Sequence, residues 1–278
     1  MCLIMLDNRY TRLKAIKEFG YDIKWEDLQK HHVGITGIGG IGTVSAEMVT
    51  RCGVKKVSLF DFDSVEVVNL NRHMFKTQDI GQLKVEVASR VLKEINPDVE
   101  IQCFAKDIMD IDFEVEFEEL IEEMDIILNG LDNVPAREYL NAKCILQNVP
   151  YIDCGASRSG LSGYVHPIIP YETACAKCIS SIQIDIPDER GEPCVASLPS
   201  TMAMLASIQV QEMLKYLLNF GKLIDYLMYN MTSGNFSIYN TSRDPQCPIC
   251  GEKGKNGKKI TPKVSHKDID DLIDEMKK

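Results

Sequence analysis

The run Gly37-Ile38-Gly39-Gly40-Ile41-Gly42 is followed, 19 residues beyond its last glycine, by Asp61. Glycines at these steps let the backbone turn tightly and approach a phosphate, and a helix starting behind them aims unpaired N–H groups at the anion. An acid at the distance of Asp61 can accept hydrogen bonds from ribose hydroxyls. Next come Asn69, Arg72 and Lys84, an amide and two cations. Cations beside a nucleotide serve attack at an α-phosphate, where they neutralise developing charge and hold pyrophosphate as it leaves. Hydride transfer makes no such demand, so an NAD dehydrogenase is the weakest reading of the glycine turn. Asp132 closes an apolar run, where a carboxylate can hold Mg²⁺ bridging the phosphates. Taken singly, Arg72 or Lys84 is an ordinary solvated cation. As a set with the glycine turn they point to ATP and Mg²⁺.

Four of the ten cysteines form two pairs, Cys175-Ala176-Lys177-Cys178 and Cys247-Pro248-Ile249-Cys250. Two Cys-x-x-Cys pairs make a closed, structural Cys₄ site for Zn²⁺, clamping the loop after Pro170 to the end of the domain. A redox pair is the competing reading, but neither pair follows a strand into a thioredoxin-like unit. Cys194 has no cysteine partner. It sits in a polar loop with Arg190 close by and a helix beginning at Pro199, both of which favour the thiolate. An ordinary half-buried cysteine is the plain alternative.

The elements that must position these groups follow from periodicity. An apolar run, Val33–Ile35, reads as a buried strand leading into the glycine turn, with a helix from about Thr43 to Arg51 and a strand Val57–Phe60 delivering Asp61. A helix runs from Lys84 to Ile95 and stops before Pro97. Strand Glu100–Phe104, an acidic helix Phe113–Met124, strand Asp125–Leu128, helix Pro135–Gln147 and strand Tyr151–Cys154 follow. Strands alternating with helices give the fold class α/β: a Rossmann-like, doubly wound, mostly parallel sheet. Leu161–Ile169 and a hairpin, Leu227–Met231 with Phe236–Asn240, read as antiparallel edge strands. Between them lies a long apolar helix, Pro199–Phe220, whose buried face carries Met202, Leu205, Ile208, Met213, Leu214 and Leu217.

The chain of 278 residues has 31 basic and 41 acidic residues and a net charge of −10, which argues against a nucleic-acid surface. It has no apolar run long enough to span a membrane, and Cys2 to Leu6 is too short for a signal-peptide core. Zinc-type cysteine spacing fits a reducing compartment better than disulfides do, so a cytoplasmic location is expected.

These motifs carry a family resemblance. The chain resembles the ubiquitin-activating-type adenylyltransferases, which include bacterial sulfur-carrier adenylyltransferases and the eukaryotic activating enzymes. The matching stretches are Gly37–Gly42, Phe60-Asp61-Phe62-Asp63, Asn69-Leu70-Asn71-Arg72, Gly81-Gln82-Leu83-Lys84-Val85, Leu131-Asp132-Asn133 and both cysteine pairs. The resemblance implies a nucleotide set of Gly37, Gly39, Gly40, Gly42, Asp61, Asp63, Asn69, Arg72, Lys84, Asp132 and Asn133. It also implies that Arg12, in an Arg-Tyr-x-Arg element, reaches into the site of a partner protomer, and hence a homodimer. In this family the loop between the first cysteine pair and the long helix carries the thioester cysteine, which is here Cys194. The run from Cys194 to Met202 is most similar to the branch that activates ubiquitin-fold modifier 1. That branch carries an acidic, aromatic modifier-binding motif after its zinc end, which residues 252–265 lack.

The implied organisation is an N-terminal helical arm (1–30) and an adenylation domain with zinc site and cysteine loop (31–251), followed by a flexible linker (252–265) and a C-terminal helix (266–278). Ile269, Leu272, Ile273 and Met276 form one helical stripe in that last segment. The resemblance makes it a docking helix for a conjugating enzyme. The implied reaction is ATP-dependent adenylation of the C-terminal glycine of a ubiquitin-like modifier, then thioester formation on Cys194 and transfer onward. The alternatives are a sulfur-carrier adenylyltransferase with no obligatory thioester, and a non-catalytic partner subunit.

Overall fold

Every residue of the strand His32–Thr36 is buried, as befits a strand with neighbours on both edges and helices over both faces. The computed structural model describes residues 8–179 and 196–252. In chain order the elements are α1 (Thr11–Lys14), β1 (His32–Thr36), α2 (Gly40–Cys52), β2 (Lys56–Phe60), α3 (Lys84–Ile95), β3 (Glu100–Phe104), α4 (Glu114–Glu122), β4 (Ile126–Asn129), α5 (Val134–Gln147), β5 (Tyr151–Ala156), β6 (Ser162–Ile168), α6 (Pro199–Leu217), β7 (Tyr226–Asn230) and β8 (Asn235–Tyr239).

The eight strands form one sheet in the order β3-β2-β1-β4-β5-β6-β7-β8. Pairing is parallel from β3 to β5 and antiparallel from β5 to β8. The expected parallel sheet with antiparallel additions at one edge is therefore what forms. The chain first winds outward through β2 and β3, then returns to place β4 on the other side of β1. A crevice opens at that reversal, above the carboxyl ends of β1 and β4.

Side-chain alternation along the strands divides the core. Ile126 and Leu128 of β4 face a cluster with Val44 and Val49 of α2, Leu92 of α3, and Leu205 and Val210 of α6. Ile127 faces the opposite cluster, with Phe117 and Ile121 of α4, and Leu140 and Ile145 of α5. Each such buried side chain contributes roughly 1.5–3 kcal/mol. The segment before β1 joins the first cluster through Ile23, Trp25 and Leu28. Upstream of it, Tyr10 lies against Gly53 so closely that a Cβ there would fall 2.3 Å from the ring. The Tyr10 hydroxyl accepts from Asn96 Nδ2 at 2.9 Å.

Several boundaries shift by one or two residues from the sequence expectation, and two helix ends shift by three. Helix α2 begins at Gly40, inside the glycine run, because Gly42 must sit in the first turn, where it packs on the turn beneath. Helix α6 ends at Leu217, ahead of Phe220. Asn219 takes a left-handed conformation (φ 49°) before Gly221 does (φ 67°), and asparagine tolerates that region better than most residues. No helix among the described residues is long and apolar enough to cross a membrane.

Candidate active site

Strand β1 ends at Thr36, and the backbone turns at once through Gly37, whose φ is +81°. The turn interlocks with the end of β4. A Cβ on Gly37 would lie 2.8 Å from the Gly130 carbonyl, and one on Gly42 would lie 1.8 Å from the carbonyl oxygen of Gly37. The first turn of α2 therefore lies directly on the loop, with its N–H groups lacking intrahelical partners. These elements form the floor of a cleft of about 560 Å³. Its lining includes Gly37, Gly39, Gly40, Asp61, Asp63, Asn69, Arg72, Lys84, Asp132 and Asn133. The structure thus brings together nearly all of the nucleotide residues expected from sequence. Gly42 acts from beneath the lining, through the close approach just described.

Asp61 stands at the end of β2. One carboxylate oxygen accepts from the Ile38 N–H at 2.7 Å and the other from the Asp63 N–H at 2.9 Å. Burial pushes its pKa up from 3.8 to about 6, against the opposing pull of Lys84. Lys84 opens α3, is itself buried, and places its ammonium 2.6 Å from Asp63 and 3.9 Å from Asp61. That cation is held by carboxylates that a phosphate can replace. Asn69 uses its amide oxygen to accept from the Glu66 N–H at 2.9 Å, which leaves its NH₂ group to serve as donor. Arg72 runs beside Gly40, with its Cδ 3.4 Å from where a Cβ on that glycine would be.

Asp132 is exposed at the strand end, with one oxygen accepting from Asn133 Nδ2 at 3.3 Å. Mg²⁺ takes one or two carboxylates and fills its shell with phosphate oxygens and water, and an exposed carboxylate on the lining of the cleft fits that donor set. Asn133 has a structural task of its own: its side chain accepts from the Ala136 N–H at 3.0 Å and caps α5.

Cys175, Cys178, Cys247 and Cys250 converge away from the cleft, with all four sulfurs within 4.8 Å of one another. The Sγ–Sγ separations of 3.8, 3.7 and 3.4 Å match the edge of about 3.8 Å expected for a tetrahedron with Zn–S bonds of about 2.3 Å. The cluster can hold zinc. It ties the turn after β6 to the segment after β8, and it packs on Tyr151 and Ile168 in the second core.

Arg12 lies exposed on α1 and is not among the residues lining the cleft of its own chain. Cys194, residues 266–278 and most of the linker at 252–265 lie outside the described residues. The chain re-enters at Ala196, pressed against Gly160, and Asn71 Nδ2 donates to the Ser197 carbonyl at 3.1 Å.

Sequence reasoning missed three groups at the site. Lys106 lines the cleft from the loop after β3, and Met202 of α6 lines it beside Gly40. Arg137 also lines the cleft, on α5, yet is buried and donates to Asp153 at 2.5 Å. The findable signal was Asp153, an acid inside the apolar strand Tyr151-Ile152-Asp153-Cys154, since a buried carboxylate needs a donor partner.

Comparison with known proteins adds the family relationships. A model of the ThiF family matches residues 10–249. The chain is 38% identical over 253 residues to ubiquitin-like modifier-activating enzyme 5 of Drosophila ananassae, covering 86% of this chain and 64% of that protein. The same-named protein of Dictyostelium discoideum is 37% identical, with 86% of this chain and 66% of the relative covered. The chain thus spans just under two thirds of the length of these relatives. Among solved structures, E. coli MccB with ATP superposes with a TM-score of 0.75 at 23% identity, over 88% of this chain and 75% of that one. PaaA gives 0.69 at 19% identity, over 86% of each chain. At those identities the likeness is one of fold.

Proposed function

This chain belongs to the ThiF family, and from that premise we propose that it activates the C-terminal carboxylate of a ubiquitin-like modifier with ATP. The modifier carboxylate attacks the α-phosphorus, the bond to pyrophosphate breaks, and an acyl-adenylate forms. The α2 N-terminus and the glycine turn bind phosphate through backbone N–H groups. Arg72 and Lys84 neutralise charge on the phosphates as pyrophosphate departs. Asp61 accepts from the ribose hydroxyls, and Asn69 donates to a phosphate oxygen. Asp132 would hold Mg²⁺, which supplies charge neutralisation across the phosphates.

Cys194 then attacks the acyl-adenylate as a thiolate, releasing AMP and leaving the modifier as a thioester. Residues 266–278 dock the conjugating enzyme that receives it. Arg12 completes the cleft of a second copy in a homodimer, in keeping with its exposed place outside its own cleft. The zinc site is structural, and the protein works in the cytoplasm. The single observation that carries this reading is the convergence of Asp61, Arg72, Lys84 and Asp132 around the glycine turn.

The test is ATP–pyrophosphate exchange with candidate modifiers, followed by intact mass of the protein. Cys194→Ala is expected to keep exchange and lose a reductant-sensitive modifier adduct. Exchange with no adduct on the unaltered protein would favour a sulfur-carrier adenylyltransferase. No exchange with any modifier would favour a non-catalytic partner subunit.

A further inference from the structure

Arg137 sits in the cleft wall, but both of its terminal nitrogens are bonded to the protein. Its Nη1 donates to the Asp153 carboxylate at 2.5 Å and to the Tyr164 hydroxyl at 2.8 Å. Its Nη2 donates to the Leu131 carbonyl and, at 2.8 Å, to the Cys154 carbonyl. Asp153 is fixed in turn, accepting from Asn129 Nδ2 at 2.7 Å and from the Tyr164 hydroxyl at 2.7 Å. Asn129 Oδ1 accepts from the Leu131 N–H at 3.0 Å. The peptide groups on both sides of Leu131 are therefore gripped, one by Asn129 and the other by Arg137. The next residue is Asp132. Arg137, Asp153, Asn129 and Tyr164 are all buried, and burial strengthens the bonds of the grip.

We infer that Arg137 is the positioning residue for Asp132: its guanidinium fork sets the end of β4 so that the exposed carboxylate meets the metal–ATP complex. The inference rests on the proposed role of Asp132. A fork is required because one group must satisfy an anion on β5 and a carbonyl on the β4 loop together. A lysine brings the same charge but cannot span both. Outer partners that orient a metal ligand typically control metal affinity by 10- to 100-fold, though they touch neither metal nor substrate.

The experiment compares ATP affinity with Mn²⁺ and with chelator, by calorimetry on the full chain. The readout is the factor by which metal tightens ATP binding, a quantity that a merely structural lesion leaves unchanged. Asp132→Ala is expected to abolish that factor. Arg137→Lys, which keeps the charge opposite Asp153, is expected to lower it about tenfold while metal-free ATP affinity stays within about twofold. Tyr164→Phe, which leaves the Leu131 contact in place, is expected to keep the factor. If Arg137→Lys does not fold, Asp153→Asn removes the anion that aims the fork and is read in the same way. A metal factor that survives in Asp132→Ala overturns the role of Asp132. A factor lost in Asp132→Ala but intact in Arg137→Lys, or in Asp153→Asn where that stands in, overturns the inference about Arg137 alone.

Discussion

The carbonyl oxygen of Gly37 lies where a side chain on Gly42 would begin, 1.8 Å from the position of its Cβ. The helix can therefore start on top of the turn only while residue 42 has no Cβ. Gly42→Ala is expected to displace the turn, weaken ATP binding more than about tenfold and lower stability by roughly 1–3 kcal/mol. Gly39→Ala is the control for stability alone, since its Cβ would meet no protein atom within 4 Å, although it would face the cleft. Thermal melts of the two variants check the contrast, and calorimetry of Gly42→Ala checks the binding.

Nucleotide affinity should depend on pH through Asp61. Its pKa is raised by burial to about 6, and only the carboxylate form can accept from both ribose hydroxyls. Falling pH protonates it, so affinity for ATP is expected to drop about tenfold from pH 7 to pH 5. The sign for stability runs the other way. A raised pKa means that folding disfavours the ionised form, so this group costs stability increasingly as pH rises from about 4 to about 6. Asp61→Asn should bind ATP more weakly at neutral pH and flatten that part of the affinity profile.

Zinc should matter to stability and little to the chemistry of the cleft. Cys247→Ser removes one sulfur of the cluster that joins the β6 turn to the end of the domain. Metal content is expected to fall from about one zinc per chain towards zero, with Tm lower by roughly 5–10 °C. Pyrophosphate exchange below the transition should persist. Elemental analysis alongside a melt checks both.

Arg12 should act across the dimer. Arg12→Ala and Asp132→Ala are each expected to be inactive alone. Mixed and allowed to exchange subunits, they should recover about a quarter of normal exchange activity, because each mixed dimer has one cleft with both residues intact. No recovery would mean that Arg12 serves its own chain, and full activity of Arg12→Ala alone would mean that it serves no cleft.

Deleting residues 266–278 is expected to leave the Cys194 thioester intact and to slow its transfer to the conjugating enzyme. A transfer assay with purified conjugating enzyme measures this. Undiminished transfer would defeat the docking role.

Much of this architecture was legible because each signal was local. The glycine run, the alternation of strand and helix, and the two cysteine pairs each depend on a few neighbouring residues, and the sheet and sulfur cluster formed accordingly. What escaped was long-range. Gln209 drew no notice on the apolar helix α6, yet it is buried, donating to the Asn129 and Ile152 carbonyls and accepting from Ser45. Arg137 went unnoticed because its partners sit 6 to 27 residues away in sequence. Asn133 read as a nucleotide residue while its cap bond to Ala136 is as much the reason for its type. Periodicity reveals which face of an element is buried, but not which polar group that face must satisfy.

The interlocked turns at the ends of β1 and β4 have a consequence for how this cleft can vary. Gly37 and Gly130 meet backbone to backbone, so no side chain exists there to be trimmed or enlarged by small steps. Drift in sequence can alter what fills the cleft from its walls, at Lys106 or Met202. The gap between the two strand ends is not open to such adjustment: it stays as it is or collapses. Attempts to broaden the nucleotide preference of this scaffold should therefore begin at the walls and leave the hinge of glycines alone.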